Sequence, residues 1–148
     1  MKSALAFVIT CFFVSAAGAQ SVENPTPELQ FLTADDKDLS EFLWKKRPVV
    51  VFGDADDDPR FLEQIALLKK READLAERDV VVITDTDPAQ RTPLRLKLRP
   101  RGFMLVIVGK DGGVKLRKPF PWDVREISRS IDKMPSRQRE IRASKEAG

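Results

Sequence analysis

The densest cluster of carboxylates in this sequence lies directly after a run of valines and comprises Asp54, Asp56, Asp57 and Asp58. Asp85 and Asp87 follow a second valine-rich run and are expected to join the cluster at the same edge of the sheet. Aspartates at alternate positions supply the oxygen ligands that calcium and magnesium prefer. A calcium loop also needs glycine at its sixth position and glutamate at its twelfth, where this chain has Pro59 and Ile65. The structural alternative is that Asp58 caps a helix whose first residue is Pro59. No metal site is therefore predicted, and the cluster is kept as a candidate binding site.

A second candidate site, which we call the basic strip, consists of Arg95, Lys97, Arg99 and Arg101. The strand order predicted below brings it to the same edge of the sheet as the aspartates. If the two groups pair, both are structural. If pairing is incomplete, the remaining cations form a surface for a phosphate, a carboxylate or a sulfated glycan. Because aromatic residues that stack on bases are absent from the strip, no nucleic acid is expected as a partner.

The composition excludes most common catalytic chemistries. The chain has no histidine, no tyrosine and one cysteine, Cys11. Serine–histidine, cysteine–histidine and histidine–zinc sites are therefore excluded, and neither a catalytic residue nor a cofactor is predicted. An enzyme of this composition would have to use carboxylates, lysine or arginine, with a hard cation held by oxygen ligands.

The first 19 residues have the pattern of a cleaved signal peptide. Lys2 precedes an apolar run from Ala4 to Val14, and small residues at Ala17 and Ala19 fit a cleavage site. Cleavage after Ala19 would remove Cys11 and leave residues 20–148 as a chain without any thiol. We expect a periplasmic or secreted protein that meets the membrane only through its signal peptide.

Charge is distributed unevenly along the chain. Residues 20–90 carry 17 acidic and 9 basic side chains, whereas residues 91–148 carry 6 acidic and 16 basic ones. Such asymmetry indicates an anionic partner, self-association between opposite faces, or two regions that neutralise each other within the fold.

The elements that would position these residues begin with a strand–helix–strand unit. Residues 20–32 are predicted to be a flexible lead-in, and a domain covering 33–135 is predicted to open with a short helix that starts at Thr33 or Asp35. Continuous apolar runs predict buried parallel strands at Pro48–Phe52 and Val80–Thr84, separated by a helix from Pro59 to Arg78.

The second half of the sequence has the pattern of a β-hairpin followed by a closing helix. A basic connection, Asp85 to Gly102, leads to a strand at Phe103–Val108, and a glycine-rich turn returns the chain antiparallel through Val114 to Arg117. A helix from Trp122 to Lys133 follows, and the charged tail 136–148 is predicted to be a frayed helix or disordered. Trp44 and Trp122 are both predicted to cap the core.

This order of elements resembles the thioredoxin-like fold over residues 39–134. The resemblance implies an α/β three-layer sandwich with a mixed sheet, in which a βαβ unit precedes a ββα unit. It also implies that the two redox cysteines would lie where this chain has Asp57–Asp58–Pro59–Arg60. The domain is therefore predicted to lack redox activity.

Four segments resemble those of one family of exported bacterial proteins known only as a domain of unknown function: FLWKKRPVVVF, LAERDVVVITD, GKDGGVKLRKP and IDKMPSRQRE. Relatives of that domain occur in extracellular proteins with sushi repeats. The resemblance implies no catalytic activity.

Three functional hypotheses follow. The first is a non-catalytic module that binds a protein or an anionic surface through its basic half. The second is a carboxylate enzyme that uses Asp54 to Asp58 with a divalent cation. The third is a thiol-free docking partner of an envelope oxidoreductase.

Overall fold

A computed structural model describes residues 26–35 and 37–148. The predicted signal peptide and the first residues of the predicted lead-in lie outside this part of the chain. The strands are β1 (Gln30–Thr33), β2 (Arg47–Phe52), β3 (Val80–Asp85), β4 (Met104–Val108) and β5 (Val114–Lys118). The helices are α1 (Pro59–Lys70), α2 (Glu72–Ala76), α3 (Pro93–Leu98), α4 (Val124–Asp132) and α5 (Pro135–Ala147). None of the helices in the described residues is long and apolar enough to cross a membrane.

The five strands form one mixed sheet in the order β1-β3-β2-β4-β5. Strands β1 and β2 both pair with β3 in parallel, β4 runs antiparallel to β2, and β5 runs antiparallel to β4. Because every residue of β2 is buried, this central strand is a continuous apolar run after its first position. The predicted βαβ unit followed by a ββα unit is confirmed.

Helices cover both faces of the sheet, so the molecule has three layers. On one face, Leu68 of α1, Leu75 of α2 and Ile127 of α4 pack against alternate residues of the strands. On the other face, Leu94 and Leu98 of α3 and the 3-10 helix Leu39–Phe42 cover the remaining alternate residues. Because successive side chains of a strand point to opposite faces, the residues of each buried strand contribute alternately to two separate cores.

The predicted flexible lead-in is wrong at its carboxyl end. Residues Gln30–Thr33 form β1, which pairs with β3 along its whole length, and Leu29 is buried in the core. The helix predicted to start at Thr33 or Asp35 is also wrong, since only the 3-10 turn Leu39–Phe42 forms, capped by the Asp38 carboxylate. A four-residue strand with polar neighbours has too little periodicity to be recognised in the sequence.

Two further elements differ from their predictions. The helix predicted from Pro59 to Arg78 is broken at Arg71, whose backbone (φ −139°, ψ 47°) separates α1 from α2. The connection from Asp85 to Gly102 contains the 3-10 turn Pro88–Gln90 and helix α3. Thr92 caps α3 through a hydrogen bond that its hydroxyl accepts from the Arg95 N–H, with Pro93 at the first helical position.

Of the two alternatives for the tail, a helix is the correct one: α5 runs to Ala147, and an ionic network joins it to the sheet. Arg47, fully buried at the start of β2, donates two hydrogen bonds to the Glu140 carboxylate (3.0 and 3.2 Å) and one to the Ser136 hydroxyl (3.1 Å). Lys110 donates to the same carboxylate (2.7 Å). No residue of α5 is buried, so charge rather than apolar packing holds this helix.

Candidate functional site

The turn between β2 and α1 occupies the position at which the thioredoxin-like fold would carry its thiols. Asp58 accepts a hydrogen bond from the Arg60 N–H (2.9 Å), and Pro59 occupies the first turn of the helix. The predicted N-cap is therefore confirmed. The adjoining Gly53 allows close packing, because a β-carbon at this residue would lie 3.1 Å from Phe61 Cβ. With carboxylates and a guanidinium in place of sulfur, the turn has no group capable of thiol–disulfide exchange.

The other aspartates of the cluster are exposed and point to separate partners. Asp56 accepts a hydrogen bond from the Thr86 hydroxyl, and the Asp54 carboxylate lies beside Gly102, 3.7 Å from where a β-carbon there would be. Asp57 is exposed on the turn. Within residues 26–35 and 37–148, no three acidic, histidine or cysteine side chains are grouped so that they could hold a metal ion. The geometry thus gives the carboxylate enzyme no cation site.

Arg95 differs from the rest of the basic strip, because it is part of a buried ion pair. Its guanidinium donates to the Asp85 carboxylate (2.8 and 3.3 Å) and to the Gly53 carbonyl (3.2 Å), and it lies 5.2 Å from the centre of the Phe52 ring. The Thr92 hydroxyl donates to the other oxygen of Asp85 (2.6 Å). Arg95 therefore stabilises the carboxyl end of the sheet and is not available to a ligand.

The remaining members of the basic strip, Lys97, Arg99 and Arg101, are exposed. None of them forms an ion pair with any acidic residue that the structure describes, so the expected contact with the aspartate cluster is limited to Arg95 and Asp85. Arg99 ends α3 in a left-handed conformation (φ 49°), and Arg101 directly precedes Gly102 (φ 61°). These turns bring three cations together within five residues at the carboxyl end of the sheet.

A cleft of about 310 Å³, lined by both polar and apolar residues, opens at the same end, beside β1 and β3. The residues that line it include Thr33, Thr84, Thr86, Asp56, Asp87 and Phe61. The cleft lies where open α/β sheets generally bind ligands. Sequence reasoning missed it because β1, which contributes Thr33, was not predicted.

The opposite end of the sheet carries the second ionic centre. Burial raises the pKa of Glu140, but the hydrogen bonds and positive charges of Arg47 and Lys110 outweigh that effect and hold the pKa at about 2, below its ordinary value of 4.5. Lys110 also pairs with Asp79 (2.7 Å). Both carboxylates are thereby neutralised by cations from distant parts of the chain.

The two tryptophans have different environments. Trp122 packs against the core, as predicted, and Lys118 lies 4.8 Å from its ring centre. The prediction for Trp44 is wrong, since 68% of its surface is exposed. It lies in the turn between the 3-10 helix and β2, where its left-handed backbone (φ 61°) turns the side chain away from the core.

The sheet order and the three layers together define a thioredoxin-like domain, whose turn before α1 contains no cysteine. Residues 38–140 match the family described as "Domain of unknown function (DUF4174)", and the chain belongs to that family.

Solved structures support the same fold. Thioredoxin peroxidase I of Plasmodium yoelii aligns with a TM-score of 0.52 at 20% identity, covering 68% of this chain and 79% of that one. A chloroplastic thioredoxin z aligns with a TM-score of 0.52 at 22% identity, covering 72% of this chain and 97% of that one. At this level of identity, the similarity is one of fold.

Proposed function

We propose that this protein is an exported, non-catalytic binding module that recognises a protein or an anionic surface, and that the anionic surface fits the geometry best. The observation that carries the proposal is the exposed, unpaired state of Lys97, Arg99 and Arg101 within the described part of the chain. Three exposed cations within five residues, one in the last turn of α3 and two just after it, attract sulfate, phosphate or carboxylate groups through charge-assisted hydrogen bonds. The absence of sulfur at the turn before α1 is consistent with binding rather than redox chemistry.

The test is a heparin-binding measurement on the variant Lys97→Glu/Arg99→Glu/Arg101→Glu. We expect its affinity for heparin to fall roughly tenfold or more, because three attractive contacts become repulsive. Arg95 is left intact, since its replacement would break a buried ion pair. The matched control, Arg125→Glu/Arg142→Glu/Lys145→Glu, makes the same change in net charge at exposed positions of α4 and α5. Equal losses in the two variants would mean that net charge alone attracts heparin, and the proposed site would be wrong.

Export is part of the proposal and rests on the sequence of residues 1–19. Lys2, the apolar run and the Ala17-x-Ala19 pattern support cleavage before Gln20. Intact mass measurement of the protein from an envelope fraction should give a chain that begins at Gln20. Retention of residues 1–19 in that fraction would contradict cleavage.

We also propose a relationship to the domain found in sushi-repeat extracellular proteins, on the basis of the four sequence segments quoted above. A structure of that domain with a different strand order would overturn it.

A further inference from the structure

Trp44 is the most exposed large apolar side chain in the described residues, and Leu43 beside it is 37% exposed. The two residues lie at the amino end of β2, at the opposite end of the sheet from the basic strip. A cleft of about 130 Å³ separates Trp44 from the start of α5. Large aromatic side chains are usually buried, so an exposed tryptophan at the tip of a turn needs an explanation.

The backbone holds Trp44 outward at a conformational cost. A bulky residue with φ 61° is strained, and such strain persists where surrounding contacts enforce it. Here the backbone N–H of Trp44 donates to the Lys110 carbonyl (2.8 Å). The backbone N–H groups of Lys45 and Lys46 both donate to the Phe42 carbonyl (3.0 Å each). Three backbone hydrogen bonds therefore fix the turn that projects the indole into solvent.

Positive charge surrounds this tip. Asp111 is paired with Lys115 (2.8 Å), and Glu140 and Asp79 are paired as described above. Lys45 and Lys46 follow Trp44 in sequence, Arg139 lines its cleft, and Lys133 lines a neighbouring cleft that shares Lys115 and Met134 with it. These four cations form no ion pair with the acidic residues that the structure describes. The surface formed by Leu43, Trp44 and these four cations, which we call the Trp44 end, therefore has a surplus of positive charge.

We propose that the Trp44 end attaches the protein to the surface of an anionic lipid bilayer, in place of the expectation that it meets a membrane only through its signal peptide. An indole prefers the headgroup region, where its ring is in an apolar environment and its N–H remains hydrated. Lysines and arginines around it are attracted to lipid phosphates. Two exposed apolar side chains are too few for the apolar centre of a stable protein interface, but they are sufficient to insert shallowly among headgroups. The basic strip then faces away from the bilayer.

The experiment measures binding of the purified protein to vesicles. The chain has two tryptophans, so the Trp122→Phe variant makes Trp44 the sole indole fluorophore. Vesicles of phosphatidylcholine, with and without about one-third phosphatidylglycerol, provide the anionic and neutral surfaces. We expect the Trp44 emission to shift to the blue only with the anionic vesicles, and brominated lipid tails to quench it.

Substitutions then distinguish the contribution of the inserted indole to vesicle binding from that of the surrounding positive charges. Trp44→Ala should lower cosedimentation with anionic vesicles roughly tenfold, and Lys133→Glu/Arg139→Glu should lower it by roughly tenfold or more. The matched controls are Leu62→Ala, which removes an exposed apolar side chain of α1, and Arg125→Glu/Arg142→Glu. Circular dichroism of each variant checks that it folds, and heparin affinity should be unchanged by Trp44→Ala.

Three results would overturn the proposal. One is equal binding to neutral and anionic vesicles, and another is an equal effect of Trp44→Ala and Leu62→Ala. The third is loss of vesicle binding only in the variant that reverses Lys97, Arg99 and Arg101, because that would assign the lipid surface to the basic strip. A failure of the heparin test would not bear on the bilayer proposal for the Trp44 end. The two proposals can therefore be contradicted independently.

Discussion

At the scale of single residues, similar side chains have different roles because their burial differs. Arg95 and Lys97 lie two positions apart on α3, but Arg95 is turned onto the Asp85 carboxylate and Lys97 into solvent. A charge taken out of water needs a partner, whereas an exposed charge remains available to a ligand. Sequence alone could not separate them, since both belong to the same alternating basic pattern.

The buried pair gives a stability prediction. Arg95→Met should lower the free energy of unfolding by about 3–5 kcal/mol, because it leaves the Asp85 carboxylate buried without a cation. Lys97→Met, on the same helix, should change it by less than about 0.5 kcal/mol. Urea denaturation followed by tryptophan fluorescence measures both. Equal, small losses would show that Asp85 is stable without Arg95.

At the scale of elements, α5 is held by one carboxylate that reaches two distant cations. Glu140 lies 93 residues from Arg47 and 30 from Lys110 along the chain, and it bonds to both. The positive charges also explain why the helix forms at this surface although no residue of it is buried. Its docking should therefore respond to pH.

The sign of that response follows from the depressed pKa of Glu140, about 2 in the folded protein against an ordinary 4.5. The contribution of Glu140 to docking is complete above pH 4.5 and is lost as the pH falls toward 2. Hydrogen exchange of the α5 amides should accelerate over this range. At neutral pH, Glu140→Gln should accelerate it roughly tenfold, whereas Glu146→Gln at the exposed end of the helix should not. No difference between these variants would contradict the ionic docking.

The elements differ in how far the sequence predicts them. Strands β2, β3 and β4 each contain an uninterrupted apolar run, and Asp58–Pro59 marks the start of α1, so these elements were recognisable. The break at Arg71 has no proline or glycine to signal it. For the tail, the sequence left a frayed helix and disorder as alternatives, because the stability of α5 comes from ion pairs across the chain rather than from an apolar stripe. The sequence predicted that the basic strip could pair with the aspartates, but it could not show that only Arg95 and Asp85 would do so among the described residues.

At the scale of the whole molecule, the opposite charges of the two halves partly neutralise each other inside the fold. Asp85 pairs with Arg95, Arg78 with Asp132, and Arg47 with Glu140, so each pair joins one residue of the first half to one of the second. The surplus that remains is exposed: aspartates after β2, the basic strip at the same end, and the cations of the Trp44 end. Charge asymmetry along the sequence therefore reflects both internal pairing and exposed surfaces.

The dispersed aspartates lead to a prediction about divalent cations. Calcium, magnesium and manganese should not raise the midpoint of thermal unfolding, because a ligand stabilises a protein only through a site that exists in the folded state. The described residues contain no group of three suitable side chains. Thermal unfolding with each cation, and with chelator as control, makes the measurement. If a cation raised the unfolding midpoint and Asp54→Asn/Asp56→Asn abolished that rise, the hypothesis of a metal-dependent enzyme would be supported again.

Strand β5 forms one outer edge of the sheet, and its composition affects how the protein behaves at high concentration. Unpaired backbone groups at such an edge invite a strand of another molecule, which is one route to aggregation. Three of the five residues of β5 are cations, Lys115, Arg117 and Lys118. A second copy that paired with this edge would bring like charges together, so the same residues that make the second half basic also protect the sheet from growing by addition of further chains.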